Sequence, residues 1–230
     1  MGVMSASDLL VSCEDAARTY GRGSGAVVAV HGANCAVKRG DRIAVVGPSG
    51  SGKSTLLHLM AGLDRPTAGR VSHPGLTGGT LSQLIGIVFQ GPSLLPPLTA
   101  AENVALPLRI DGVPEEEAAA RALAALDSLA LHGLADRLPD ELSAGQAQRV
   151  AVARVLARRP RLVLADEPTG QLDSETGRQV MTVLLAAADE VGAGVVVTTH
   201  DLQIAQELDT RWHMADGRLV SSDVEGDGAQ

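Results

Sequence analysis

A chain of 230 residues, 45% of them hydrophobic, can bury the core of one large domain or of a domain with a small lobe. Aromatics make up only 1%, namely Tyr20, Phe89 and Trp212, so that core must be built from Leu, Val, Ile and Ala. A formal net charge of −8 speaks against non-specific binding to nucleic acid, two cysteines are too few for a disulfide scaffold, and no apolar run reaches the ~18 residues of a spanning helix.

No basic segment followed by an apolar run opens the chain, so the expectation is a cytoplasmic protein that meets a membrane only through a partner. Residues 1 to 10 read as a leading tail, and Leu9 to Ala17 is ambiguous. Tyr20 precedes the loose segment Gly21 to Gly25, and spacing alone fits an adenine-stacking platform and an ordinary tyrosine equally. Ala26 to Val30 reads as a strand, Cys35 to Val37 as another, and Lys38 to Asp41 as a turn. These short strands predict a small antiparallel sheet beside the main one. Cys13 and Cys35 have no metal-ligand neighbours at useful spacing and read as buried or inert thiols.

Arg42 to Val46 is a short apolar strand, and Leu56 to Gly62 reads as a helix. Between them, Gly47-Pro48-Ser49-Gly50-Ser51-Gly52-Lys53-Ser54-Thr55 fits G-x-x-x-x-G-K-[ST] without a gap. Strand, glycine-rich turn and helix is the context this phosphate-binding motif requires. Glycines let successive N–H groups curl around phosphate oxygens, and the helix N-terminus adds a positive dipole end. In such loops the lysine, here Lys53, reaches the β- and γ-phosphates, and the hydroxyl of Ser54 binds Mg²⁺.

Pro66 and Gly69 punctuate the end of that helix, and residues 71 to 82 carry little signal beyond glycine turns. Ile85 to Phe89 is a strand ending at Gln90. A polar residue there sits at the ligand-facing edge of a parallel sheet, so Gln90 either reaches Mg²⁺ and the attacking water or is a solvent-facing glutamine. Gly91 to Thr99 is a proline-rich loop. A helix from about Ala101 follows, then a second over Glu115 to Ala130 with Leu123, Leu126 and Leu129 on its apolar face. Together these predict an inserted helical lobe over residues 91 to 159. Ser143 opens the helix Ala147 to Leu156, either as part of a phosphate site or as a plain N-cap.

Leu162 to Ala165 is an apolar run suited to a strand buried on both faces, and it ends in Asp166 and Glu167. Downstream of a phosphate loop, Asp166 matches the acid that holds Mg²⁺, and Glu167 stands where it can orient water. Pro168 to Asp173, Gln171 included, forms a tight loop before the helix Glu175 to Asp189. Gly194 to Thr199 is another buried strand, closed by His200, which either contacts the γ-phosphate or is a surface histidine. A short helix over Leu202 to Leu208 and a hairpin turning at Asp216-Gly217 complete the fold, and the acidic tail 221–230 is expected to be disordered. The fold class predicted is α/β: a P-loop NTPase with a mostly parallel central sheet, a small antiparallel β lobe and an inserted helical lobe, as one domain over 1–230.

These motifs, in this order, resemble those of the ATP-binding subunits of ABC transporters, over roughly Tyr20 to Leu219. The family's A-loop aromatic falls on Tyr20, its Walker A on Gly47 to Thr55 and its Q-loop on Gln90. Its signature, usually Leu-Ser-Gly-Gly-Gln, stands as Leu142-Ser143-Ala144-Gly145-Gln146. Its Walker B and catalytic glutamate fall on Leu162 to Glu167, its D-loop on Leu172-Asp173 and its switch histidine on His200. Phe89-Gln90, Leu94-Leu95-Pro96, Leu98-Thr99 and Glu102-Asn103-Val104 are similar to the group serving lipoprotein release, macrolide export and peptide-antibiotic resistance. Ala144 departs from the usual glycine, and residues 70 to 85 look short.

The resemblance implies an ATPase that uses Mg²⁺ and works as a homodimer, with each ATP between Walker A of one subunit and Ser143 to Gln146 of the other. It also implies a membrane permease as partner and a place on the inner face of the membrane. A regulatory ATPase of the cell-division type is the main alternative. A DNA-repair type is weaker, because the long coiled coils or zinc modules of that class are missing between Walker A and the signature.

Overall fold

The computed structural model describes residues 8–170 and 172–224, with side chains to residue 220. Its strands are β1 (Leu9–Tyr20), β2 (Val27–Lys38), β3 (Arg42–Val46), β4 (Ala68–Ser72), β5 (Ile85–Val88), β6 (Leu162–Asp166), β7 (Gly194–Thr199), β8 (Thr210–Ala215) and β9 (Arg218–Val224). Its α-helices are α1 (Lys53–Met60), α2 (Leu81–Leu84), α3 (Ala100–Ile110), α4 (Glu115–Ser128), α5 (Ala144–Leu156), α6 (Ser174–Val191) and α7 (Leu202–Ala205).

The main sheet has the order β5-β6-β7-β3-β8-β9. Its first five strands run parallel, and β9 pairs antiparallel with β8. The central strands are apolar runs because both of their faces are covered. On β6, Leu162 and Leu164 join one core with Ile43 and Val45, while Val163 and Ala165 join the other with Val104 and Val150. This is the period-two alternation of a strand. Helix α1 lies between the main sheet and β1 and β2, which is why Leu56, Leu57, Leu59 and Met60 are all buried. Truncating a fully buried core leucine typically costs about 2–5 kcal/mol. Leu164→Ala should therefore lower the denaturant midpoint by that amount of stability, and a midpoint equal to the parent would contradict the buried position of β6.

The antiparallel sheet has the order β2-β1-β4. Where two short strands were expected around His31 to Asn34, β2 is continuous. Pairing with β1 carries across the gap through register shifts, with Gly32 at φ 64° absorbing the irregularity. The ambiguous stretch from Leu9 is β1 itself, whose partners on both sides supply the pairing that its mixed pattern does not advertise. Cys13 and Cys35 face one another across this pair as free thiols.

Four further expectations are corrected. Leu123 does not belong to the apolar face of α4, being 47% exposed; Ala118, Ala122, Ala125 and Leu126 are buried, so small residues rather than a leucine row bring the helix onto its neighbours. The low-signal stretch 71–82 contains the end of β4 and the start of α2, which opens with a capping box between Thr80 and Gln83. Helix α7 is shorter than expected and ends at Ala205. Ser221 to Val224 is strand and not tail, since its backbone pairs with β8 from His213 to Thr210. Residues 225–230 and 1–7, with Gln171, lie outside the described residues.

Candidate functional site

Parallel strands present their C-terminal ends along one edge, and four of them meet there. Val88 pairs with Ala165, Asp166 with Thr198, and Val46 with Thr199, so β5, β6, β7 and β3 end at one level. The segments leaving those ends carry Gln90, Glu167, His200 and the phosphate loop.

The loop turns from β3 into α1 with Gly52 as N-cap at φ 98°. A Cβ on Gly47 would stand 2.0 Å from the Met214 carbonyl oxygen, and one on Gly52 would stand 2.2 Å from that of Ala29. Glycine is therefore required where β8 and β2 press on the loop. The β8–β9 turn pins it: Gly217 N–H donates to Ser51 O at 3.0 Å, and His31 N–H donates to Gly217 O at 2.8 Å. Lys53 is buried, and its ammonium donates to the Gly47 and Pro48 carbonyls at 2.9 Å each. The Ser51 hydroxyl is buried and has no hydrogen-bond partner among the described residues. A buried cation held only by neutral carbonyls and an orphaned hydroxyl, at the start of a helix, fit an anionic polyphosphate.

The two acids diverge. Thr198 donates its hydroxyl to Asp166 Oδ1, which turns Asp166 into the sheet. The Glu167 N–H donates to Thr198 O at 3.0 Å and Oγ1 at 3.1 Å. Glu167 itself adopts φ 44°, a left-handed conformation that costs a non-glycine residue about 1–2 kcal/mol. Its Oε2 accepts from Gln90 Nε2 at 3.3 Å and lies 3.3 Å from His200 Nδ1. Gln90, Glu167 and His200 thus converge on one carboxylate oxygen, with His200 exposed above it.

The remaining predicted residues stand apart from this group. Tyr20 ends β1, and its hydroxyl donates to Asp64 Oδ2 at 2.8 Å. Ser143 caps α5 in a capping box: Gln146 N–H donates to its Oγ at 3.2 Å, and Ser143 N–H donates to Gln146 Oε1 at 2.8 Å. Ala144 is the first residue of α5, so its methyl group meets no backbone strain. A Cβ on Gly145 would come within 3.2 Å of Leu172, which places the signature stretch beside the loop of Asp173. Asp173 caps α6, accepting from the N–H groups of Thr176 and Glu175. These bonds, that of Thr176 foremost, hold its carboxyl below the usual range. Among the described residues, no hydrogen bond joins Ser143 to Gln146 with the phosphate loop.

Two residues went unnoticed in the sequence. Thr198 orients both acids, and its only signal is a hydroxyl ending a valine run. Gln148 is fully buried on α5 and donates to Phe89 O at 3.1 Å, tying the signature helix to the segment of Gln90. Its signal is an amide on the buried face of a helix.

Comparison with known proteins agrees with this geometry. The family model described as ABC transporter matches residues 30–170. The chain is 40% identical to the lipoprotein-releasing system ATP-binding protein LolD of Hydrogenovibrio crunogenus, over 93% of this chain and 97% of that one. It is 41% identical to the LolD of Pseudomonas fluorescens, over 92% and 97%. Among solved structures, it is similar to the dimeric post-hydrolysis state of the ATP-binding cassette MJ0796 bound to ADP and Pi, with TM-score 0.87 and 37% identity over 95% of this chain and 100% of that one. It is also similar to cbiO1 of Clostridium perfringens, part of the ABC transporter complex cbiONQ, with TM-score 0.81 and 30% identity over 94% and 89%. A family match across more than half of the chain, and relatives of this identity over nearly all of it, lead to one assignment: the chain belongs to the ABC transporter family, among its ATP-binding subunits.

Proposed function

We propose that this chain hydrolyses ATP as a homodimer and so drives a membrane permease of the export kind, with lipoprotein release as in the LolD relatives for a model. The convergence of Gln90 and His200 on Glu167, at the strand edge that also carries the Lys53 loop, is the observation that carries the reading. Tyr20 stacks on adenine. Gly47 to Thr55 wrap the phosphates, and Lys53 leaves its two carbonyls to meet them. Ser54, Gln90 and Asp166 would hold Mg²⁺, all oxygen donors suited to a hard cation. When bound, Mg²⁺ supplies charge neutralisation on the β- and γ-phosphates. Glu167 accepts the proton of the attacking water, and His200 contacts the γ-phosphate. Ser143, Ala144, Gly145 and Gln146 close on the ATP of the partner, with Asp173 lining the same interface.

The whole chain acts as one ATPase domain, with residues 91–159 as a helical lobe that carries the signature. A groove between that lobe and the sheet is lined by Leu63, Leu81, Phe89, Pro107 and Arg154, adjoins Gln90, and suits a permease segment. No helix of the described residues is long and apolar enough to cross a membrane. In this reading the chain sits on the inner face of the membrane by binding the permease.

The test is assembly. Light scattering on the Glu167→Gln variant should find a monomer or weak dimer without nucleotide and a dimer with ATP. A monomer in both conditions at tens of micromolar, with or without the permease, would overturn the proposal.

A further inference from the structure

Tyr20 is held from two sides. Its hydroxyl donates to Asp64 Oδ2 at 2.8 Å. The guanidinium carbon of Arg18 lies 4.6 Å from the centre of its ring, within cation–π range. Arg18 in turn pairs with Asp64, Nε to Oδ2 at 2.8 Å, and its Nη1 donates to Arg65 O at 3.1 Å. One carboxylate oxygen therefore gathers both the tip of the tyrosine and the cation on its face. Burial alone would raise the Asp64 carboxyl, but hydrogen bonds from Tyr20 and the Arg65 N–H, with the Arg18 charge, bring it below its ordinary range and keep it ionised.

This cluster is fixed relative to the phosphate loop at two points. Asp64 follows α1, the helix that the loop opens, and its N–H donates to His58 O at 3.3 Å in the last turn. Tyr20 pairs with Val27 on β2, and two residues further along β2 the carbonyl of Ala29 packs on Gly52. The separation between ring and loop is thus a property of the folded chain. Tyr20 is 40% exposed, with the Arg18 guanidinium over one face of its ring.

We infer that Arg18 and Asp64 are the positioning residues of the adenine platform, holding the Tyr20 ring in its stacking orientation before nucleotide arrives. This rests on the reading of Tyr20 as that platform. The advantage is entropic: a ring already ordered does not have to be ordered by the ligand.

The experiment is calorimetry with ADP, which is not hydrolysed, and with inorganic tripolyphosphate, which has no base. Arg18→Leu, Asp64→Asn and Tyr20→Phe should each weaken ADP about 3- to 10-fold, the scale of one side chain left to be ordered on binding. Tripolyphosphate affinity should not change, and Asp64→Asn should add nothing in a Tyr20→Ala background. If Tyr20→Ala weakens ADP while the other three variants do not, the positioning role falls and the platform stands. If Tyr20→Ala leaves ADP binding unchanged, the platform falls and this inference with it. Equal loss of tripolyphosphate in Asp64→Asn would make Asp64 a support of α1 rather than of the ring. Tighter ADP binding in that variant would mean the ring is held away from the base. Either result overturns the inference.

Discussion

Glu167→Gln should bind ATP as the parent does while turnover falls about 10²–10⁴-fold, the scale of a positioned proton acceptor. The amide keeps the size of the side chain and an oxygen that can accept from Gln90, but it cannot take a proton from water. The ATP-bound dimer should accumulate, because its exit by hydrolysis is closed. Asp166→Asn should fail differently. Asp166 is buried and held by Thr198, and in the proposed role as a Mg²⁺ holder its defect should appear as a raised Mg²⁺ requirement. The two variants together test whether adjacent carboxylates do separate work. Near-normal turnover in Glu167→Gln, with a strong loss in His200→Ala, would move the central role to His200.

Lys53→Ala should abolish hydrolysis and weaken nucleotide binding roughly ten- to a hundred-fold, the scale of one lost charge-assisted bond. Lys53 is only 5% exposed, and its present partners are carbonyls of the loop itself. The variant therefore leaves two acceptors unpaired, and a circular-dichroism melt should accompany the binding measurement. A folded variant with unchanged turnover would overturn the assignment of the loop as the catalytic phosphate site.

Much of the site was legible because its signals are local. A glycine-rich loop between strand and helix is one continuous segment, and so is an apolar strand that ends in two acids. Ser143 was legible as a cap residue, while Asp173 read only as part of a tight loop; both cap their helices through backbone N–H groups a few residues on. Other features were not local. Asp166 and Glu167 are adjacent in the chain, yet they part because Glu167 adopts a left-handed conformation, held by Thr198 from the neighbouring strand. The burial of Leu123 was misjudged because helical spacing does not say which of two adjacent stripes meets the neighbouring helices.

Read alone, the chain settles the phosphate loop, the order of its motifs and the alternation of strands and helices, since each depends on residues close together in sequence. Only the folded structure decides which strand ends lie side by side. Gln90 and His200 are 110 positions apart, yet both reach the carboxylate of Glu167, because β5, β6 and β7 are neighbours in the sheet. The same holds for Arg18, Tyr20 and Asp64, where the end of β1 meets the turn after α1. Parallel pairing sets aside the order of the chain and sorts strands by how their apolar faces are covered, so the chemistry is assembled at an edge that no single segment contains.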